Sequence, residues 1–306
     1  MPDGARRAPS GDQHDGNHDM KLIHISDTHL VAPGAQLLGL DPDARLREVI
    51  ASVNLNHPDA DLCIFSGDLT DSGDLDSYVA LQAILRDLAL PYRLMLGNHD
   101  HRSHFTRVFP EHVHSAEGFV QTLHRGNDAD LLLLDSLNDA HPATGRLCDA
   151  RLGWLERALQ APTERPLIVF VHHPPFDIGM PWFRPMLLEN GADVLALLLA
   201  HDRVAHLAFG HVHLDTNGVH RGLSFSSTRG TAHKIAFSES ANETFYTAAS
   251  PGYDVLLATE TGVIVHHETP RDWQSLIARE QATADGKGIF EIFGRPQAPS
   301  HAGGLL

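Results

Sequence analysis

Leu-Ile-Val-Phe-Val-His-His-Pro-Pro, residues 167–175, decides the fold. The apolar run Leu167-Ile168-Val169-Phe170-Val171 has the length and uniformity of a buried strand. It ends at two imidazoles. The same layout recurs four times elsewhere. Ile23-His24-Ile25-Ser26 leads to Asp27-Thr28-His29, and Leu62-Cys63-Ile64-Phe65-Ser66 leads to Gly67-Asp68. Tyr92-Arg93-Leu94-Met95-Leu96 leads to Gly97-Asn98-His99-Asp100, and Ala205-His206-Leu207-Ala208-Phe209 to Gly210-His211-Val212-His213. Five strands ending this way are expected to line carboxylate, amide and imidazole groups along one edge of a sheet. Open α/β sheets bind ligands at that edge.

These residue types suit a pair of divalent cations. Two cations roughly 3.5–4 Å apart repel unless an anion lies between them. Asp68, alone after its glycine, is the natural bridging carboxylate. Asp27 and His29, two apart, can reach one ion from one strand end. Asn98 offers a neutral amide oxygen, which leaves its ion more Lewis-acidic than a second carboxylate would. His172, His211 and His213 complete mixed nitrogen and oxygen shells, which suit Zn, Mn, Fe or Co better than Mg or Ca. Glycines 67, 97 and 210 permit tight turns and close backbone approach. A single Asp or His at a strand end is ordinarily solvated or capping; seven at once call for a common cause.

The five blocks, in this order from about Lys21 to about Pro270, resemble the calcineurin-like metallophosphoesterase superfamily, most closely its class III cyclic-nucleotide and glycerophosphodiester phosphodiesterases. The resemblance implies a sandwich of two packed mixed β-sheets flanked by helices, an αββα arrangement. It implies that Asp27, His29, Asp68 and His213 hold one metal, and Asp68, Asn98, His172 and His211 the other. His99 matches a non-ligand histidine that faces the phosphate. Ser227 to His233 resembles the glycerophosphodiesterase branch, which implies a second outer catalytic histidine at His233. The implied reaction is hydrolysis of a small phosphodiester by a metal-activated hydroxide, with His99 and His233 neutralising charge or protonating the leaving oxygen. The alternatives are a phosphomonoesterase or phosphoprotein phosphatase of the same superfamily, and a non-catalytic binding module on the same fold. Arg93 and Arg102 lie near the third block, but neither matches the arginines by which protein phosphatases grip a phosphate dianion.

Composition narrows the partners. The chain has 306 residues and a formal net charge of −16 with histidines neutral. No basic stripe offsets a phosphate backbone, so a nucleic-acid polymer is not expected as partner. Two cysteines, Cys63 and Cys148, give no disulfide framework, and no apolar run approaches a membrane span of ~18 residues. With no apolar leader, cytoplasmic residence is the expectation, and a homo-oligomer remains open.

Residues 1–19 are read as a disordered tail, 20–270 as the catalytic domain and 271–306 as a C-terminal extension. Within the domain, 229–250 is a candidate cap or subunit-contact segment. Helical spacing of apolar residues predicts helices over Asp43–Asn56, Asp74–Leu88, Asp149–Leu159 and Glu189–Leu199. Residues 218–227, 253–258 and 262–267 read as strands, the last two as a hairpin. His14, His18, His57, His104, His112 and His114 have no motif context and read as solvated. Gly288–Phe293 is an isolated apolar patch that could dock on the core or a neighbour.

Overall fold

A computed structural model describes residues 20–113, 115, 117–259, 261–282 and 289–292. The expected tail 1–19, with His14 and His18, and also His114, Gly288 and Phe293, lie outside the described residues.

The chain first lays down β1 (Met20–Ile25), β2 (Leu62–Phe65) and β3 (Tyr92–Leu94), parallel to one another. A second sheet follows: β4 (Thr122–Arg125), β5 (Asp130–Leu134), β6 (Leu167–Val171), β7 (Val204–Phe209), β8 (Thr216–His220) and β9 (Leu223–Ser227). A short pair, β10 (Lys234–Ile235) and β11 (Tyr246–Thr247), precedes β12 (Tyr253–Thr259) and β13 (Gly262–Glu268), which return to the first sheet. A terminal hairpin pairs β14 (Ala278–Gln281) with β15 (Ile289–Ile292). The sheet orders are β13-β12-β1-β2-β3 and β4-β5-β6-β7-β9-β8.

Three apolar layers hold the sandwich together. Leu22, Ile64, Leu131, Leu133, Ile168, Phe170 and Leu256 fill the space between the sheets. Ile23, Ile25, Cys63 and Phe65 face outward onto α1 (Pro42–Asn56) and α2 (Leu75–Leu85), through Leu46, Val49, Ile50, Tyr78 and Leu81. Phe105 of α3 (Arg102–Val108) joins them. Val169, Val171, Leu207 and Phe209 meet α4 (Asp149–Leu159) and α5 (Gly191–Leu199) on the far side. A strand buried on both faces has no polar alternation, which is why these runs are continuous. Each fully buried large side chain contributes roughly 1.5–3 kcal/mol. Asp41 and Asp74 cap α1 and α2, accepting from the Ala44 and Ser77 amides at 3.1 and 2.9 Å. A last short helix, α6 (Pro270–Gln274), follows β13. No helix among the described residues is long and apolar enough to cross a membrane.

The two-sheet α/β expectation is met, and three readings are corrected. The five motif strands do not share one sheet edge: β1, β2 and β3 belong to one sheet, β6 and β7 to the other. Residues 218–227 are not one strand but the β8–β9 hairpin, turned at Arg221 and Gly222 with φ 52° and 93°. His57 and His112 are buried rather than solvated. His57 meets Glu268 at 2.9 Å, His112 Nδ1 accepts from the Leu94 amide, and half-buried His104 meets the Gly73 carbonyl at 2.7 Å. Ile289 and Ile292 are exposed on β15.

Candidate metal centre

The loops leaving β1 and β2 are zipped together. The Asp27 amide donates to the Gly67 carbonyl at 3.0 Å and the His29 amide to the Asp68 carbonyl at 2.9 Å. Thr28 Oγ1 donates to the Leu69 carbonyl at 2.6 Å. The loop after β3 is tied in by Asp100, whose carboxylate accepts from the amides of Gly97 (2.9 Å) and Leu69 (3.1 Å) and from the Tyr78 hydroxyl (2.9 Å). Burial first, and Asp68 second, push the Asp100 carboxyl up to about 6. The second sheet joins through the His211 amide, which donates to the Asp27 carboxylate at 3.1 Å.

This convergence strains the backbone. Asp27, His29, Asp68, His211 and His213 all adopt positive φ, from 40° to 70°. The other described non-glycine residues with positive φ are Leu38 and Arg221. Such a conformation costs of order 1–3 kcal/mol per residue and persists only where surroundings impose it, typically at functional sites. Gly67 shows how tight the packing is. A Cβ there would lie 2.7 Å from both the Gly97 amide nitrogen and His172 Nδ1.

The seven expected ligands come together in two adjoining groups: Asp27, His29, Asp68 and His213 in one, His172 and His211 with His173 in the other, and Asn98 against His211. His29 Nε2 and His213 Nε2 face each other at 3.2 Å. Asp68 Oδ2 lies 3.5 Å from His29 Nε2 and 3.3 Å from His172 Nε2. Asp27 Oδ1 lies 3.3 Å from His213 Nε2, and Asn98 Oδ1 lies 2.9 Å from His211 Nδ1. Three of the four imidazoles have Nδ1 held by an outer acceptor: His29 by Asp71, His172 by the Ser66 carbonyl and His213 by the His233 carbonyl. That arrangement fixes the tautomer and leaves the Nε2 lone pair pointing inward, as metal-bound histidines require. The buried Nε2 atoms of His172 and His211 have no hydrogen-bond partner. Converging lone pairs and orphaned nitrogens around a buried carboxylate fit divalent cations.

The charge states agree. Burial works against the Asp68 carboxylate, but His172 and His99 hold it ionised, well below its ordinary range. Burial lowers His211 to about 3, with His172 adding to the shift, so its imidazole is neutral. His233 is likewise lowered to about 3, by burial and then by His213, whose ring it stacks on at 4.3 Å.

His99 and His233 both line a cavity of about 320 Å³ that opens over the cradle. His99 Nδ1 donates to the Asp71 carbonyl at 2.7 Å. Among the described residues lining this cavity there is no lysine or arginine. Arg102 is paired with Asp135, and Arg93 turns back to the Tyr92 carbonyl.

Three supporting residues receive no role from the motifs. Asp71, three beyond Asp68, orients His29 and His99; its position in the Gly67-Asp68 turn was the available signal. Asp100 closes the third block. His173 packs beside His172 and His211, with Nδ1 on the Ser136 hydroxyl at 2.8 Å and Nε2 unpartnered.

Residues 20–215 match the Calcineurin-like phosphoesterase family. The chain belongs to that family. It is 42% identical over 220 residues to a probable cyclic nucleotide phosphodiesterase of Rhodopseudomonas palustris, covering 71% of this chain and 80% of that protein. It is 27% identical over 260 residues to the glycerophosphodiester phosphodiesterase GpdQ of Enterobacter lignolyticus, covering 84% and 90%. A dimetal phosphatase from Danio rerio shares the fold, with a TM-score of 0.60 at 14% identity over 83% of this chain and 97% of that one. The phosphoesterase family and its metal-dependent chemistry therefore apply to this chain, as does the class of hydrolytic enzyme.

Proposed function

We propose that this member of the family hydrolyses small phosphodiesters, cyclic nucleotides and glycerophosphodiesters being the candidate classes, at a binuclear centre. Asp27, His29, Asp68 and His213 hold one divalent ion, and Asp68, Asn98, His172 and His211 the other. The mixed donor set favours Mn, Fe, Zn or Co. The ions supply Lewis acidity to the phosphoryl oxygens and a means of ionising water near neutral pH.

The chain's own residues do the rest. Asp68 offers one carboxylate to both halves of the cradle. With its Nδ1 proton held by the Asp71 carbonyl, His99 keeps Nε2 for the substrate; only as the imidazolium does that nitrogen carry a proton to pass to the leaving oxygen, and the ring is left neutral. His233, lining the cavity beside His99, would help neutralise the charge that develops on the phosphoryl or leaving oxygen. The segment 229–250, which carries His233 and Tyr246, acts as the cap of a catalytic unit spanning 20–270, with 271–306 as an extension. Two unpaired cysteines, Cys63 and Cys148, accord with a cytoplasmic setting.

The observation that carries the diester reading is that no lysine or arginine is among the described residues lining the cavity. A monoester dianion calls for added positive charge; a diester monoanion does not. The test compares bis(p-nitrophenyl) phosphate with p-nitrophenyl phosphate on protein reconstituted with Mn or Co. The diester is expected to lead by at least about tenfold in kcat/KM, roughly 1.4 kcal/mol of transition-state discrimination. Equal or faster monoester turnover moves the protein to the phosphatase side of its family. Cyclic AMP and glycerophosphodiesters then rank the natural classes.

A further inference from the structure

Beyond its donor atoms, the cavity is walled by apolar side chains from three separate segments. Leu37 and Leu38 come from the loop behind His29, and Trp182 and Met186 from the 3-10 turn Pro181–Met186. Ile235 and Tyr246 are cross-strand partners on β10 and β11.

Leu38 is the telling residue. Leu37 and Leu40 exchange amide-to-carbonyl hydrogen bonds at 2.9 and 2.8 Å, closing a two-residue turn over Leu38 and Gly39. Both turn residues have positive φ, 51° and 76°. Such turns favour Asn or Gly at the first position, and a bulky side chain there is a genuine outlier. Leu38 is also 62% exposed, so its strain is not offset by burial in the core. Tyr246 is 52% exposed, with its ring edge-on to His233 at 5.1 Å. Trp182 has its back against the core of the second sheet. Strained or exposed apolar groups gathered around a cavity point to a ligand that covers them.

We propose that these segments form an apolar jaw that grips the flat face of a nucleobase carried by the diester, and that Leu38 and Trp182 determine this specificity. The inference rests on the diesterase reading and narrows it. The jaw has only two polar tips, the Trp182 indole N–H and the Tyr246 hydroxyl. The other polar residues of the lining belong to the cradle or its supports. Edge recognition of a base needs placed donors and acceptors. Stacking on an apolar or aromatic surface does not, because every base presents a π-face. The jaw therefore selects for a ring and tolerates any base. A glycerol group has hydroxyls and no face, and would leave Leu38 and Tyr246 in water.

The test measures kcat/KM of manganese-loaded protein for cyclic AMP, cyclic GMP, cyclic CMP and glycerophosphoethanolamine. Leu38→Ala and Trp182→Ala are run beside the unaltered chain. Calorimetric binding of AMP and of glycerol 3-phosphate gives a readout independent of turnover. The three cyclic nucleotides are expected within about fivefold of one another. Each should exceed the glycerol diester at least about tenfold, or 1.4 kcal/mol. Both variants should lower that selectivity, mainly through KM for the cyclic nucleotides, and weaken AMP. A glycerol diester turned over as well as the cyclic nucleotides overturns the jaw. So does a preference for one base beyond about tenfold, or selectivity unchanged in both variants. If no diester turns over but AMP outbinds glycerol 3-phosphate and Leu38→Ala weakens it, the diesterase reading fails and the jaw stands. If AMP and glycerol 3-phosphate bind alike, the jaw fails whatever the turnover.

Discussion

β7 carries His206 within the strand, and the loop leaving it carries His211; both rings are buried, and they are used in opposite ways. Burial first drives both neutral, to about 4 and about 3. His206 has both ring nitrogens filled, by the hydroxyls of Ser224 and Ser226 on β9, each at 2.9 Å. His211 keeps a buried Nε2 without a partner, in a left-handed backbone with φ 70°. Burial and protonation state do not separate the two. An unfilled lone pair on a strained backbone does. His206 has both nitrogens on serine hydroxyls and none left for a ligand; His211 keeps a spare one.

The comparison is tested hardest at Asp68, on which the cradle side converges. Asp68→Ala is expected to lose metal on both sides and more turnover than the ~10⁴-fold upper range of a lost general acid. Elemental analysis and kcat decide it, and retention of two metals per chain breaks the assignment. His99 comes next. Its ring lines the cavity with Nδ1 on the Asp71 carbonyl, and only its backbone amide, which alanine retains, reaches Asp68 at 2.8 Å, so His99→Ala should keep its metal and lose about 10²–10⁴-fold in kcat. Metal loss in that variant would make His99 a ligand.

On the filled side, His206→Leu should behave oppositely. Its kcat/KM should stay within about threefold, while two serine hydroxyls lose their partner at a cost of about 1–3 kcal/mol in urea unfolding. A large fall in kcat at unchanged stability would erase the distinction between the two histidines.

The smallest effect is expected at a buried histidine far from the cradle. His57 donates to Glu268, which also accepts from Tyr253 and Trp273 at 3.1 and 2.7 Å. Burial alone would raise this carboxyl, but those hydrogen bonds hold it down to about 2. A lowered carboxyl contributes stability above its unfolded pKa and loses it as pH falls through the folded value. Glu268→Gln should therefore cost about 1 kcal/mol at pH 7, discounted for partial exposure. That difference should shrink as the pH of the urea titration falls from about 5 to about 2. A difference that grows on acidification would contradict a carboxylate held down by these hydrogen bonds.

Much of this was legible in the chain. Motif strands such as β2 and β6 were readable because strands buried on both faces are continuously apolar, and each ends where its polar cargo begins. β5 is the same kind of run, Asp130 to Leu134, yet it goes unread because no motif follows it. The turn at Arg221-Gly222 is hidden because Arg221, not an Asn or Gly, takes the left-handed position ahead of Gly222. His57 and His112 read as solvated because their burial depends on distant partners: Glu268 for one, the Leu94 amide and the Tyr92 ring for the other. Asp71 and Asp100 act through atoms they position rather than through a motif spacing.

The sequence by itself determined the donor chemistry. Carboxylates, an amide and imidazoles follow apolar runs in a set order, and local periodicity with side-chain identity is covalently encoded. Tertiary structure alone decided which atoms confront one another. His29 meets His213 across 184 positions, and the Ser66 carbonyl sets the His172 tautomer across 106. It also split the motif strands between two sheets, forced five of the ligand residues into left-handed backbone and raised Leu38 over the cavity. Lone-pair directions and backbone strain belong to contacts between distant segments, so no local pattern carries them.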